Sequence, residues 1–145
     1  KIACPEMELT LLDSLGKRMA WLAETLSSLN ITASCITARA EEAVASRREQ
    51  FDFAVSRAVA RLPVLCELCL PYVKVGGAFL SMKGAAAQEE VREARQAIAL
   101  LGGRLEQLVT FSIGGAEHAV AVIRKVRPTP PAYPRRFGKI KQQPL

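Results

Sequence analysis

Short apolar runs alternate along this chain with longer stretches in which apolar residues recur every three or four positions. The runs at 8–13, 31–37, 51–56 and 78–82 predict strands. Between the first two, Leu15, Met19, Leu22, Leu26 and Leu29 fall at spacings of four, three, four and three. That is one face of a helix of about four turns, closed by Asn30. Residues 1–3 predict the last turn of a helix stopped by Pro5, and 38–50 a short polar helix. Pro63, tolerated in a first turn, opens a helix with Leu65, Leu68, Cys69 and Tyr72 facing inward. Val75-Gly76-Gly77 predicts a turn before the 78–82 strand. Residues 85–101 predict one long helix with Val91, Ala94, Ile98 and Leu101 inward, capped by Gly102-Gly103. The final strands, 105–113 and 118–126, are joined by so short a link, 114–117, that they must form an antiparallel hairpin.

Strand–helix alternation ending in a hairpin predicts an α/β fold. The expected form is a three-layer sheet, mostly parallel with an antiparallel C-terminal end, and right-handed crossovers placing helices on both faces. Residues 1–127 read as one domain. From Pro128 the composition shifts to Pro, basic residues and Tyr133, so 128–145 reads as a tail ordered only where it docks. The chain has 145 residues, 50% hydrophobic and 23% charged, enough for one real core. No apolar run approaches the roughly 20 residues of a membrane span. The opening KIACPEM has no charged-then-apolar leader, so a soluble, cytoplasmic protein is expected, and a monomer.

Charge changes the picture more by placement than by size. The net charge is +6, yet from His118 onward there is no Asp or Glu and there are seven cations: Arg124, Lys125, Arg127, Arg135, Arg136, Lys139 and Lys141. Taking those seven from +6 leaves the rest at −1. A basic end of this kind predicts a polyanion partner, or else only a solubilising tail. Cys66 and Cys69 form a CxxC, but it lies inside a helical stretch with no second CxxC and a single, distant His118. Helix packing by reduced cysteines is expected, with no metal.

In an open α/β sheet, ligands sit outside the carboxyl ends of the strands. Those ends present Asp13-Ser14, then Ala40-Glu41, then Ser56-Arg57, then Lys83. A carboxylate such as Asp13 can accept from two ribose hydroxyls of a nucleotide-like cofactor; alternatively Asp13, or Ser14, caps the following helix, and one residue can do both. Glu41 alone reads as a helix N-terminal charge. There is no GxSxG, HExxH or P-loop, and one histidine cannot build a Ser–His–Asp or Cys–His constellation. An enzyme built from this chain needs chemistry with little acid–base assistance.

The segments LLDSLGKR, ARAEE, FDFAVSRAVA, LPYVKVGGAFLSMKG, VIRKV and YPRRFGKIKQQPL resemble, in order, the bacterial 16S rRNA guanine-N7 methyltransferases, also called the glucose-inhibited division protein B family. The resemblance implies a Rossmann-like class I methyltransferase that uses S-adenosyl-L-methionine and acts on 16S rRNA of the 30S ribosomal subunit near the decoding region. It implies that Asp13, with Ser14 and Leu15, holds the cofactor ribose, and that Ala40 and Glu41 border the adenine. Arg57 would lie in the cofactor and active-site crevice as a positioning group. Arg61, Lys83, Lys125, Arg135, Arg136, Lys139 and Lys141 would approach RNA. The family's Gly-rich cofactor loop, the strand before it and an N-terminal helical segment are not among these residues. A gap is therefore expected between the Asp13 strand and the 51–56 strand, and the 145 residues alone are expected neither to bind cofactor normally nor to be active. The tail also departs from the family's more proline-rich pattern, with Phe137, Lys139 and Ile140 intervening.

The chemistry matches the absences. Guanine N7 carries a lone pair and no proton, so methylation there needs positioning and electrostatics rather than a general base. The Asn/Asp-Pro-Pro motif that serves exocyclic amines is replaced by Ser56-Arg57-Ala58-Val59. N7 lies beside O6 in the major groove, where Arg57, Arg61 or Lys83 can donate, unless Arg61 pairs with an acidic neighbour. Two further readings stay open: an RNA-binding α/β module without catalysis, and a small-molecule methyltransferase.

Overall fold

Thr10–Asp13 forms β1 and Ser34–Thr37 forms β2, paired in parallel with Asp13 opposite Thr37. The computed structural model describes residues 1–145 and divides them into two units, Lys1–Ala43 and Val44–Leu145. In the first unit, α1 (Gly16–Ser28) crosses from β1 to β2, and α2 (Ala40–Ala43) follows. Met19 is buried and Leu22 and Leu26 half-buried, as the helical spacing requires, whereas Leu15 and Leu29 flank the helix and are exposed. The helix stops where Asn30 takes φ +53: Asn30 N–H donates to Ser27 O (3.1 Å) and Ile31 N–H to Leu26 O (2.9 Å). This is a Schellman closure with Asn in the left-handed position. Both strands are shorter than their apolar runs because the ladder pairs only four residues on each side. Residues 1–3 are not helical; Lys1 Nζ donates to Pro5 O and Met7 O (2.6 and 2.7 Å) and closes a loop instead.

The second unit contains β3 (Phe51–Arg57), α3 (Leu62–Cys69), β4 (Val73–Lys83), α4 (Ala87–Glu93), α5 (Arg95–Leu100), β5 (Gly103–Ile113), β6 (Ala116–Lys125) and α6 (Phe137–Gln142). Its four-stranded sheet runs β3-β4-β6-β5, with only β6 reversed. Gly114 and Gly115, both at positive φ (58° and 81°), make the two-residue hairpin turn whose twist suits the flanking strands.

Other elements also differ from the sequence-based expectation: the short polar helix over 38–50 is only α2 and a 3-10 turn at Val44–Ser46, and the tail carries α6. Val75-Gly76-Gly77 is not a turn: β4 runs through it, and the register with β3 jumps from Phe51↔Val73 to Phe53↔Ala78. The bulge brings backbones so close that a Cβ on Gly77 would lie 2.4 Å from Asp52 O, and Gly76 takes φ +92. The expected single helix over 85–101 is two, broken at the fully buried Ala94 with ψ −2.

Leu62, Leu65, Leu70, Phe79, Leu101 and Ile123 lead a core between one face of the sheet and α3–α5. On the other face Phe53, Val55, Met82, Val109 and Phe111 stay exposed. The tail segment folds onto the second unit through Thr129 and Ile140, both buried. No helix is long and apolar enough to cross a membrane.

Candidate active site

In the first unit, Asp13 closes β1 and is held from two sides. Oδ1 accepts from Leu15 N–H (2.8 Å) and Oδ2 from Arg18 Nη1 (2.5 Å). These bonds, Leu15 first, hold its carboxyl below the usual range against the opposing effect of burial. The N-cap of α1 is Leu15, with no side-chain cap bond, so neither Asp13 nor Ser14 caps the helix; Asp13 instead ties the turn that leads into it. A carboxylate has about four lone-pair directions. Two are taken here and the side chain remains 22% exposed, which fits a vicinal diol. In sequence Arg18 reads only as half of a basic pair, Lys17-Arg18, opening the helix; its place five residues after Asp13, in the first turn of α1, is the signal that could have paired them. Ser14 and Leu15 are exposed beside the carboxylate.

Ala40 begins α2, and Glu41 sits in its first turn, 3.6 Å from Arg39 with its side chain 8% exposed. Its place suits the helix dipole, the plainer of the two readings of Glu41. A groove of about 490 Å³ in this unit is lined by Leu26, Asn30, Ile31 and Cys35, at the far end of α1 from Asp13.

In the second unit, β3 ends at Arg57, opposite Met82. The Arg57 side chain is exposed and makes no hydrogen bond or ion pair within the chain. One residue earlier, Ser56 faces Ser81 across the β3–β4 ladder; both are buried and neither hydroxyl has a partner. Ala58 turns the chain at φ +53. Arg61 is not uncommitted: it forks onto Glu93 (2.7–3.2 Å) and reaches Glu89 at 3.5 Å, and the Glu93 carboxylate raises its pKa. Lys83 is 9% exposed; it donates to Ala60 O (2.7 Å) and pairs with Glu90 (2.8 Å). Of the three cations considered as donors to a guanine edge, only Arg57 is unengaged.

The basic end divides similarly. Lys125 is fully buried, bonded to Leu70 O (2.7 Å) and Thr129 Oγ1 (2.6 Å) and paired with Glu49 (3.2 Å). Burial pulls its pKa down, and Glu49 partly restores it. A buried ammonium cannot reach a phosphate, so the expected RNA contact at Lys125 is withdrawn. Arg135 grips the fully buried Glu67 with two nitrogens (2.6 and 2.8 Å) and is committed to the fold as well. Arg136, Lys139 and Lys141 remain exposed. Cys66 lies in the core, and burial pushes both CxxC thiols up, Cys69 to about 12, so neither is a ready thiolate. His118 stacks on Phe111 (5.7 Å between centroids).

A family profile described as rRNA small subunit methyltransferase G matches residues 1–120. Proteins named Ribosomal RNA small subunit methyltransferase G from Acetivibrio thermocellus and Clostridium kluyveri are 45% and 42% identical over 150 and 148 residues. Those matches take in 100% of this chain and 62% of each relative, so the chain spans about three fifths of their length. Among solved structures, an rRNA methylase from Streptococcus thermophilus superposes with TM-score 0.61 at 17% identity, over 83% of this chain and 74% of that one. A 16S rRNA (adenine-N1)-methyltransferase from Catenulisporales acidiphilia gives 0.65 at 15%, over 89% and 78%. At such identities the likeness is one of fold: the Rossmann-like class I methyltransferase fold, mostly parallel with a C-terminal antiparallel hairpin.

Proposed function

The chain belongs to the rRNA small subunit methyltransferase G family, and from that membership we propose that it serves methyl transfer from S-adenosyl-L-methionine to N7 of a guanine in 16S rRNA. The observation that carries the reading is the Asp13 carboxylate, ionised, partly exposed and with acceptor capacity to spare at the end of a parallel strand. In this reading Asp13 accepts from the ribose hydroxyls of the cofactor, Leu15 and Arg18 fix its orientation, and Ala40 and Glu41 border the adenine. S-adenosylmethionine, so held, would supply a sulfonium methyl: an N–CH3 bond would form from the guanine N7 lone pair as the S–CH3 bond breaks and S-adenosylhomocysteine leaves. No proton leaves the base, which agrees with a site built without a general base. Arg57 donates to guanine O6 and orients the ring; Arg61 and Lys83, engaged with Glu93 and Glu90, act on the loop instead.

Residues 1–127 form the methyltransferase part, and 128–145 a strap whose outward cations Arg136, Lys139 and Lys141 meet RNA phosphates. The partner is the 30S subunit, in the cytoplasm. The test is to incubate the full-length protein with methyl-labelled cofactor and undermethylated 30S subunits, then map the label. Label at guanine N7 of 16S rRNA is expected. Label on an exocyclic amine, or RNA binding without any transfer, would replace this reading with a different transferase or with a non-catalytic RNA-binding module.

A further inference from the structure

We propose that Lys83 and Glu90 are a positioning pair for Arg57, fixing residues 58–62 so that the backbone from which the Arg57 side chain projects at the end of β3 is held in one place; this rests on Arg57 being the group that orients the target base.

Arg57 has no ion pair of its own, so what the fold fixes is the point from which its side chain projects, set by the backbone on either side. On one side is the ladder to Met82. On the other is a turn through Ala58 at φ +53, a left-handed conformation that a residue with a Cβ adopts at a cost. Such a conformation persists when its surroundings over-determine it. Here the surroundings are specific. Lys83 Nζ donates to Ala60 O at 2.7 Å, and Glu90 Oε2 accepts from Leu62 N–H at 2.7 Å and lies 2.8 Å from Lys83 Nζ. Both side chains are nearly buried, at 9% and 12% exposure. Arg61, between those two anchor points, forks onto Glu93 and reaches Glu89. Three carboxylates of the seven-residue α4 are therefore turned on one short loop. Closing β3 onto α3 requires one partner for the Leu62 amide. The added cation from the end of β4 ties the loop's other strand-side anchor, Ala60 O, to the same carboxylate. The arrangement preorganises the loop immediately after Arg57 without touching Arg57.

The experiment uses residues 1–145 with Glu90→Ala, which removes both contacts, and Glu90→Gln, which keeps an oxygen for Leu62 N–H but loses the charge facing Lys83. Amide exchange is read at Arg61 and Leu62 against Phe79 and Ile123 in the core strands, together with the side-chain Nε signal of Arg57. Glu90→Ala should speed loop exchange at least tenfold more than core exchange and shift or broaden the Arg57 signal, with Glu90→Gln intermediate. Equal acceleration of loop and core, or an Arg57 signal unmoved in Glu90→Ala, would overturn the proposal and leave an ordinary stability contact. Methyl transfer by the unaltered full-length protein is a separate readout. Its absence would remove the base-orienting role of Arg57 while the exchange data still decide whether the pair holds the loop.

Discussion

Asp13 at the end of β1 and Glu67 within α3 each hold one arginine, Arg18 and Arg135, through charge-assisted hydrogen bonds of similar length. Their surroundings differ. Asp13 is 22% exposed and its arginine 58%, whereas Glu67 is fully buried and its arginine 16% exposed. Glu67 also accepts the Arg135 backbone N–H, so its oxygens serve the docking of the tail onto α3. An exposed pair is worth about 0–1 kcal/mol because water competes for both partners. Breaking a buried one leaves a charge with neither water nor partner, at about 3–5 kcal/mol. The same chemistry is thus structural in one place and open to solvent in the other, and burial decides which.

The sharpest way to break this contrast is Glu67→Gln, which should destabilise the second unit by about 3–5 kcal/mol. A lowered denaturant midpoint with an unchanged slope checks it. Lys125→Met should cost about 1–3 kcal/mol, since Leu70 O and Thr129 Oγ1 each lose a buried donor; a stability like that of the parent would restore Lys125 as a candidate RNA contact. Replacing Arg136, Lys139 and Lys141 together by Gln should change stability by less than about 0.5 kcal/mol. The same triple change should remove about 2 from the log–log salt slope of binding to single-stranded RNA, as three phosphate contacts predict. A slope equal to the parent's would place the RNA surface elsewhere.

Asp13→Asn should have the smallest effect on stability, under about 1 kcal/mol, and that effect depends on pH. The folded pKa of Asp13 lies below its ordinary 3.8, chiefly through the Leu15 amide and then through Arg18. Its contribution is therefore fully present above that ordinary value and is lost as pH falls through the lowered one. The difference in stability between parent and Asp13→Asn should shrink as acid titration passes below about pH 4; a constant difference across that window would mean the carboxylate is not held ionised by its partners.

Much of this was legible in sequence because period and punctuation carry it. The four-three spacing gave α1 its inner face, Asn30 its end, and Gly114-Gly115 the hairpin. The strand-tip rule brought out Asp13 and Arg57. Elements whose form depends on a distant neighbour were not legible. Val75-Gly76-Gly77 looks like a turn until the backbone of Asp52 is known to pass beside it. Lys83, Lys125 and Arg135 look like surface cations because sequence shows a charge without its partner; Glu90, Glu49 and Glu67 lie 7, 76 and 68 positions away. A tail rich in Pro and Lys also hides the one residue, Ile140, that anchors its helix in the core.

The claim that matters most is that Asp13 is spare for a ligand. Its direct measurement is an NMR titration of residues 1–145 with S-adenosylmethionine into the millimolar range, following the Leu15 amide, which donates to Asp13. Saturable shifts centred on Leu15, Arg18 and Ala40 are expected, with the affinity falling at least tenfold, about 1.4 kcal/mol, in Asp13→Asn while the fold is retained. An affinity unchanged by Asp13→Asn, or shifts that avoid the end of β1, would contradict it.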